Sequence, residues 1–567
     1  MSSVKSEREK QTPVDGERGG LPVLQPAQAN DETEVDEKLK PSDAPAKQDD
    51  IVYPRGVRLF LTMMSIFIAM FLVTLDRLII ATAVPQITNE FNAAGDIGWY
   101  GTAYLLTNCA FQLFFSKLYA VFDIKATFMT SIVLFETGSA VCGAAPNSFA
   151  FVFGRAIAGL GAGGIMAGVI AILVYSLPLH KRLKYQGFFG GVFAVASVMG
   201  PLVGGAFTTN VTWRWCFYLN LPIGGAVFLI ITLLLHIPKA APSKEANVSP
   251  PTLLNKLRRL DALGMLAFLP AVVCLCLALQ WGGTTYSWGS GRVVALLVVA
   301  FVLLLAFVGV QFWLPENQVT LPPRILLQRS VAGAFLVALC MGAHMIIFLY
   351  YLPVWFQAVK GISAVTSGID TLPMMMPIVV GSIGTGMLVP RIGYYVPFLL
   401  FGIALSAAGA GLLTALRVDT STARWAGYQL LYGFGLGFAS QVPNMAAQTV
   451  LPRPDVALGA SVMFFGQQLA GAVFTSVGQN VLDNQLATRL ADVPGLGLTP
   501  QQIQNTGATN ILALVPAASR PAALLAYNAA LRVVFRAGLI TACIAVLGGA
   551  AMEWRNVKKK PDGGKKV

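Results

Sequence analysis

The sequence predicts an all-α integral membrane protein, built as two six-helix bundles plus two linking helices, with about fourteen transmembrane helices. Three observations carry this. Of 567 residues, 55% are hydrophobic and only 12% charged, against roughly 25% charged in an ordinary soluble domain, and the mean hydropathy is +0.65. Apolar runs of about 20 residues, the length that crosses a hydrocarbon core about 30 Å thick, recur from residue 59 to residue 552. Basic residues sit in short clusters between these runs, as loops do when charge sets membrane orientation. Together these exclude a soluble enzyme. The net charge of +13 does not indicate nucleic acid, because the basic residues form no patch interleaved with aromatic side chains.

Residues 1–50 mix both charge signs, are almost free of aromatic residues, and are expected to form a disordered cytoplasmic tail. Residues 1–50 contain no apolar stretch with a cleavage site, so the first span is expected to direct insertion itself. Spans are expected near 59–82, 98–119, 127–146, 149–175, 187–208 and 217–237, giving an N-terminal bundle over 51–240. Spans near 262–281 and 293–314 lie in a linker over 241–330. Six more, near 331–357, 369–389, 395–416, 425–447, 458–481 and 534–552, make a C-terminal bundle over 331–555. This bundle carries a long outer loop at 482–533, and a basic cytoplasmic tail follows at 556–567.

With both ends inside, the inner loops hold fourteen Lys or Arg residues, from Lys117 to Arg453, and the short outer loops only five. Asn210-Val-Thr falls in a very short outer loop and Asn247-Val-Ser on the inner side, so neither sequon is expected to carry a glycan. Residues 252–260 alternate leucine with basic residues and suit either the inner interface or an ordinary loop. The seven cysteines form no metal-binding or disulfide pattern and read as buried thiols. No metal and no cofactor are expected.

A charge inside a bilayer costs at least about 2.5–3.5 kcal/mol at a helix centre, so each one is a candidate site. Asp76 and Arg77 lie toward the outer end of span one, Glu136 in span three, Arg155 at the start of span four, His344 in span nine and Asp370 at the edge of span ten. Asp76 is the foremost proton-carrier candidate, since desolvation lets a carboxylate load and release protons near neutral pH; its competing role is to pair with Arg77 or cap a helix. Arg155 either faces the bundle, neutralising a carboxylate or holding an anionic group, or snorkels to an interface. Glu136 and His344 either act in the site or are satisfied by a neighbouring helix.

Gly159, Gly161, Gly163 and Gly164 match a dinucleotide fingerprint by letter, but no strand precedes them and no acidic residue follows at the required distance. They read as a small-residue face for close helix packing. Gly200, Pro201, Gly204 and Gly205 extend this logic to span five, where the proline removes a backbone donor and permits a bend. Gly433, Gly435 and Gly437 in span twelve, with Gly466 and Gly471 in span thirteen, echo spans four and five. That echo implies an internal repeat, an architecture of transporters that rock about a midplane site. No GxxxxGK[ST] sequence occurs, so no ATPase is expected.

These residues resemble the fourteen-span drug:proton antiporters of the major facilitator superfamily. Leu75-Asp76-Arg77-Leu78-Ile79-Ile80-Ala81-Thr82-Ala83-Val84-Pro85 is similar to the span-one motif, with Leu78 where threonine is usual. Gly154-Arg155 through Gly164, Gly200-Pro201-Leu202-Val203-Gly204-Gly205, and Trp213-Arg214-Trp215-Cys216-Phe217-Tyr218-Leu219-Asn220-Leu221-Pro222-Ile223-Gly224 resemble three further motifs in the family's order, and the likeness runs over about 55–555. The loop at Ser116–Asp123 departs from the family's gating loop, lacking its initial glycine and an aspartate at position 120.

The resemblance implies a major facilitator fold and proton-driven export of a small organic compound, a fungal secondary metabolite or drug, by alternating access. It places proton coupling at Asp76 and Arg155, and control of leak and coupling at the Gly200-Pro201 element. The expected partners are a small-molecule substrate, the proton and the lipid bilayer, with the chain a monomer in the cell membrane rather than a vacuolar or vesicle membrane. Phe193, Gln280, Met341, Gln441 and Gln467 are candidates to line the cavity. A proton-coupled importer and a non-transporting membrane sensor remain the alternatives.

Overall fold

The computed structural model describes residues 56–93, 96–235, 259–283, 286–316, 318–491, 493 and 515–558. The tail at 1–50, Asn247, most of the basic stretch at 252–260, the middle of loop 482–533, the tail beyond Lys558 and the side chain of Pro201 lie outside the described residues.

Six long helices form the first half: α1 (Gly56–Phe91), α2 (Ile97–Val121), α3 (Ile124–Ala144), α4 (Ser148–Ser176), α5 (Leu179–Asn210) and α6, which starts at Trp215–Tyr218 and runs on as Asn220–Leu234. The linker supplies α7 (Ala262–Trp281) and α8 (Gly291–Trp313). The second half contains α9 (Arg329–Ala358), α10 (Leu372–Ile392), α11 (Val396–Leu413), α12 (Thr422–Ser440, continued by Val442–Val450), α13 (Arg453–Ala491) and α14 (Arg520–Ala551). Side-chain caps start several of them. Asp123 accepts from the Ala126 N–H at 2.9 Å, Asn147 from Ala150 at 2.9 Å and Gln328 from Val331 at 2.8 Å, each satisfying an orphan donor of a first helical turn. Gly393, at φ +97°, ends α10 in the left-handed conformation that glycine adopts without strain.

Among the described residues, twelve of these helices are long and apolar enough to cross a membrane. The other two, α2 and α12, occupy the second and twelfth expected span positions, and their polarity has a structural cause. Asn108, Gln112 and Ser116 of α2 and Gln429 of α12 are buried, so these side chains face protein where a lipid-facing helix would carry apolar ones. Lys117, expected in an inner loop, is likewise buried within α2 and donates to the Val319 carbonyl at 2.5 Å. α13 and α14 run on past the apolar runs that marked them, to Ala491 and from Arg520, shortening the loop expected at 482–533. Asn210 is the last residue of α5.

The internal repeat is legible in the glycine contacts. A Cβ at Gly159 would lie 2.3 Å from the Tyr104 carbonyl of α2, and one at Gly161 would lie 2.3 Å from the Phe135 nitrogen of α3. In the second half, a Cβ at Gly433 would lie 2.2 Å from the Met374 carbonyl of α10, and one at Gly435 would lie 2.1 Å from the Ser406 nitrogen of α11. The fourth helix of each half therefore packs backbone to backbone on the second and third helices of its own half. Because backbone cannot yield as a flexible side chain does, Gly161→Leu should cost about 3 kcal/mol, the upper part of the overpacking range. Thermal unfolding in detergent checks this, with Gly205→Ala as the control, since a Cβ there meets nothing within 4 Å.

The halves meet along α5 with α10 and along α2 with α13. The α5–α10 approach is close: Ser382 Oγ donates to the Gly187 carbonyl at 2.9 Å, and a Cβ at Gly386 would lie 2.9 Å from Gly187 Cα. α7 and α8 pair with each other, and α7 rests on α2. Only 17% of the apolar window of α8 is buried, and Val298, Phe301, Leu305 and Phe312 are exposed on it, as suits a helix whose outer face meets lipid. One buried carboxylate fastens the linker. Asp261 caps α7 at the Gly264 N–H (2.8 Å) and accepts from Gln311 Nε2 at 2.9 Å and the Thr320 N–H at 2.8 Å. Arg324 then bridges Glu316 of the linker (2.8 Å) to Asp455 at the start of α13 (2.7 Å).

Candidate functional site

Asp76 and Arg155 meet inside the first half. Arg155 Nη1 donates to Asp76 Oδ2 at 2.5 Å, and the side chains are 1% and 0% exposed. Asp76 therefore pairs with an arginine 79 residues away, and Arg155 faces the bundle. The arginine also donates from Nε to the Tyr100 carbonyl at 3.0 Å and lies 4.4 Å over the Tyr104 ring, so its remaining surface is covered by a hydrogen bond and a cation–π contact. Asp76 Oδ1 accepts from Asn220 Nδ2 at 3.1 Å, and the same amide reaches Ser139 Oγ at 3.1 Å. One charge pair thus joins α1, α2, α3, α4 and α6. A buried pair survives desolvation only when its other lone pairs and protons are also satisfied. Asn220, Tyr100 and Ser139 meet much of that requirement here, and none was singled out from the sequence. The signal was present in Asn220, an amide within an otherwise apolar helix.

Gly200 and Gly204 place α5 directly against α1 just beyond this pair. A Cβ at Gly200 would lie 3.1 Å from Leu78 Cβ, and one at Gly204 would lie 2.2 Å from Thr82 Oγ1. Glu136 is not joined to the pair by a hydrogen bond. Both of its carboxylate oxygens are buried without a partner among the described residues, covered by Gly224, where a Cβ would lie 1.6 Å from Oε1. His344 is fully buried in the second half, with Nδ1 2.7 Å from Tyr432 Oη, and does not line the central cavity. Asp370 ends the short helix Ala364–Asp370 before α10 begins, and its carbonyl accepts from Gln429.

Arg77, next to Asp76, lines a cavity of about 160 Å³ between the two halves. Its walls come from α1, α2, α4 and α5 on one side and α9, α10, α12 and α13 on the other. Phe193, Gln441 and Gln467 of the expected lining are present, whereas Gln280 and Met341 are not among the lining residues. Phe189, Phe464 and Tyr350 add aromatic surface; Asn108, Gln112 and Gln468 add amides.

A second polar cluster closes the far end of α1, beyond its apolar span. Trp213 Nε1 donates to Glu90 Oε2 at 2.6 Å, and Arg214 Nη1 donates to the same carboxylate at 2.8 Å, while Arg214 Nη2 reaches the Ala145 carbonyl at 3.0 Å. The indole hydrogen bond, with the Arg214 contacts and against an opposing effect of burial, holds the Glu90 carboxyl below its ordinary value of 4.5. A carboxyl depressed on folding contributes stability above its unfolded pKa and loses it as pH falls through the folded value. Hydrogen-exchange protection across 211–218, taken relative to the intrinsic exchange rate at each pH, should therefore fall as pH drops below about 4.5, and Glu90→Gln should remove that dependence.

The family model described as Major Facilitator Superfamily matches residues 66–475. A Claviceps purpurea protein named an MFS-type transporter is 48% identical over 523 residues, covering 92% of this chain and 89% of its own. A Gibberella zeae protein named a rubrofusarin-specific efflux pump is 46% identical over 510 residues, covering 90% and 92%. Among solved structures, the proton:xylose symporter XylE shares the fold at a TM-score of 0.54 and 14% identity, over 88% of this chain and 98% of its own. A helical fold in two repeated halves around a cavity and these likenesses agree: the chain belongs to the major facilitator superfamily and is a multi-pass membrane transporter, not an enzyme.

Proposed function

We propose that this transporter is a proton-driven antiporter that exports small amphipathic organic compounds, secondary metabolites or drugs, across the cell membrane by alternating access. The observation that carries the reading is the buried Asp76–Arg155 pair on the helix that lines the cavity. A proton arriving on Asp76 neutralises the carboxylate that holds Arg155 and Asn220, and so loosens the junction of five helices. Two of those helices, α1 and α2, also present Arg77, Asn108 and Gln112 to the cavity, so proton binding and cavity shape are linked through shared helices. A two-state element biased by both ligands is what coupling requires.

Orientation supports the direction. With the basic loops inside, the close α5–α10 contact lies on the cytoplasmic side, and it must part for a substrate to enter from the cell. The Gibberella zeae relative is named an efflux pump, which favours export over import. The cavity is lined from both halves of one chain, which supports a monomer as the transporting unit.

The test uses the purified full-length protein in vesicles under an imposed pH gradient, challenged with fractions of a fungal culture extract. Antiport predicts that a transported fraction moves against proton flow and dissipates the gradient. Movement of compound together with protons would instead establish an importer, and equal movement without a gradient would remove proton coupling.

A further inference from the structure

We propose that the transported compounds are organic anions, and that Arg77 recognises their acidic oxygen, a carboxylate or an ionised phenol, in the central cavity. The inference rests on the transport reading above and names the substrate class of that same cavity.

Arg77 is the single charged side chain among the described residues that line the cavity. Its one hydrogen bond is to a neutral partner, Gln468 Oε1, at 2.9 Å across the two halves. The adjacent carboxylate is not available to it, because Asp76 is held by Arg155 and Asn220. No carboxylate among the described residues forms an ion pair with Arg77. An arginine half-buried in an apolar cavity, with an amide as its partner, leaves much of its fork of donors for a ligand. A guanidinium in such surroundings favours a planar anionic oxygen group, which it meets with two parallel charge-assisted hydrogen bonds.

A second observation points into the same space. Asn108 and Gln112, 2% and 1% exposed, line the cavity on α2; among the described residues Asn108 Oδ1 and Gln112 Nε2 lack a partner, as does Gln441 Oε1 on the opposite wall. Buried polar atoms of this kind are costly unless a ligand or water satisfies them. They supply both an acceptor and a donor for the hydroxyl and carbonyl groups of a cargo. Phe189, Phe193 and Phe464 supply apolar surface for its body. The fitting cargo is therefore a compact amphipathic acid with one anionic end, an apolar and preferably aromatic body, and a few neutral oxygen groups.

Binding of 2-naphthoate and 2-naphthamide to the purified full-length protein tests this, since the two differ in charge and hardly in shape. Binding is measured by displacement at equilibrium, without a pH gradient. The wild-type protein should bind the anion about tenfold more tightly than the amide. Arg77→Gln should erase that preference, and Arg77→Lys should retain part of it, each with an unchanged melting temperature. Equal affinity for the two probes, binding of neither, or a preference that survives Arg77→Gln would overturn the proposal. Should a variant fail to fold, the wild-type comparison alone still decides. The outcome is separable from proton coupling: anion preference without pH-driven transport supports this assignment and rejects the antiport reading. Equal pH-driven transport of both probes does the reverse.

Discussion

Asp76→Asn should lower the stability of the transporter by about 3–5 kcal/mol, the usual effect of leaving one member of a buried pair unpaired, and should end pH-driven transport. Arg155 would then lie buried with the Tyr100 carbonyl and the Tyr104 ring, its ionic partner gone. Loss of transport from the single variant would not separate coupling from folding, so the informative comparison is with Asp76→Asn combined with Arg155→Gln. Removing both charges removes the unpaired one, and the melting temperature should recover most of the loss. Transport should not recover, because the carboxylate assigned to take the proton is gone. A double variant that transports with its pH dependence intact would show that the pair is structural only.

Gly386→Leu should act on the conformational equilibrium rather than on the fold. The Cβ would fall 2.9 Å from Gly187 Cα and 3.0 Å from the Leu183 carbonyl. The whole α5–α10 contact must open to admit a leucine, and the two helices belong to different halves. If the clash costs about 3 kcal/mol, the closed-to-open ratio on that side falls by roughly a hundredfold, since each 1.4 kcal/mol is tenfold in an equilibrium constant. Export should collapse while the melting temperature within each half is little changed. A cysteine introduced at Ser382 on the same interface should become reactive to a water-soluble maleimide. An unreactive cysteine in the Gly386→Leu background would mean that the halves do not part there.

Much of this architecture is legible in the chain because the bilayer imposes simple arithmetic. Apolar runs must be about 20 residues long, and a charge within one must earn its place. That reasoning offers Asp76 and Arg155 among six titratable residues within the spans, and the family resemblance selects those two, but neither joins them: 79 residues separate the two, and Asp76 had a nearer candidate partner in Arg77. The same reasoning passes over Asn220, since a neutral amide attracts less notice than a charge, yet it closes the site from 144 residues away. Hydropathy is a weaker guide for α2 and α12, whose polar side chains face protein. Helix ends are also hidden where polar residues continue a helix beyond the apolar run, as in α13. The glycine echo succeeds because a missing Cβ is a local property with a direct spatial meaning.

Arg77 also bears on energetics. If the cargo is an anion and one proton enters for each anion that leaves, every cycle moves two elementary charges inward. The membrane voltage then drives export alongside the pH gradient, contributing about 4.6 kcal/mol per 100 mV at about 2.3 kcal/mol per charge. A cell that had spent its pH gradient but kept an inside-negative potential would still clear its cargo. The positive charge fixed in the cavity wall would make this transporter a rectifier for acids, working with the cell's electrical polarity.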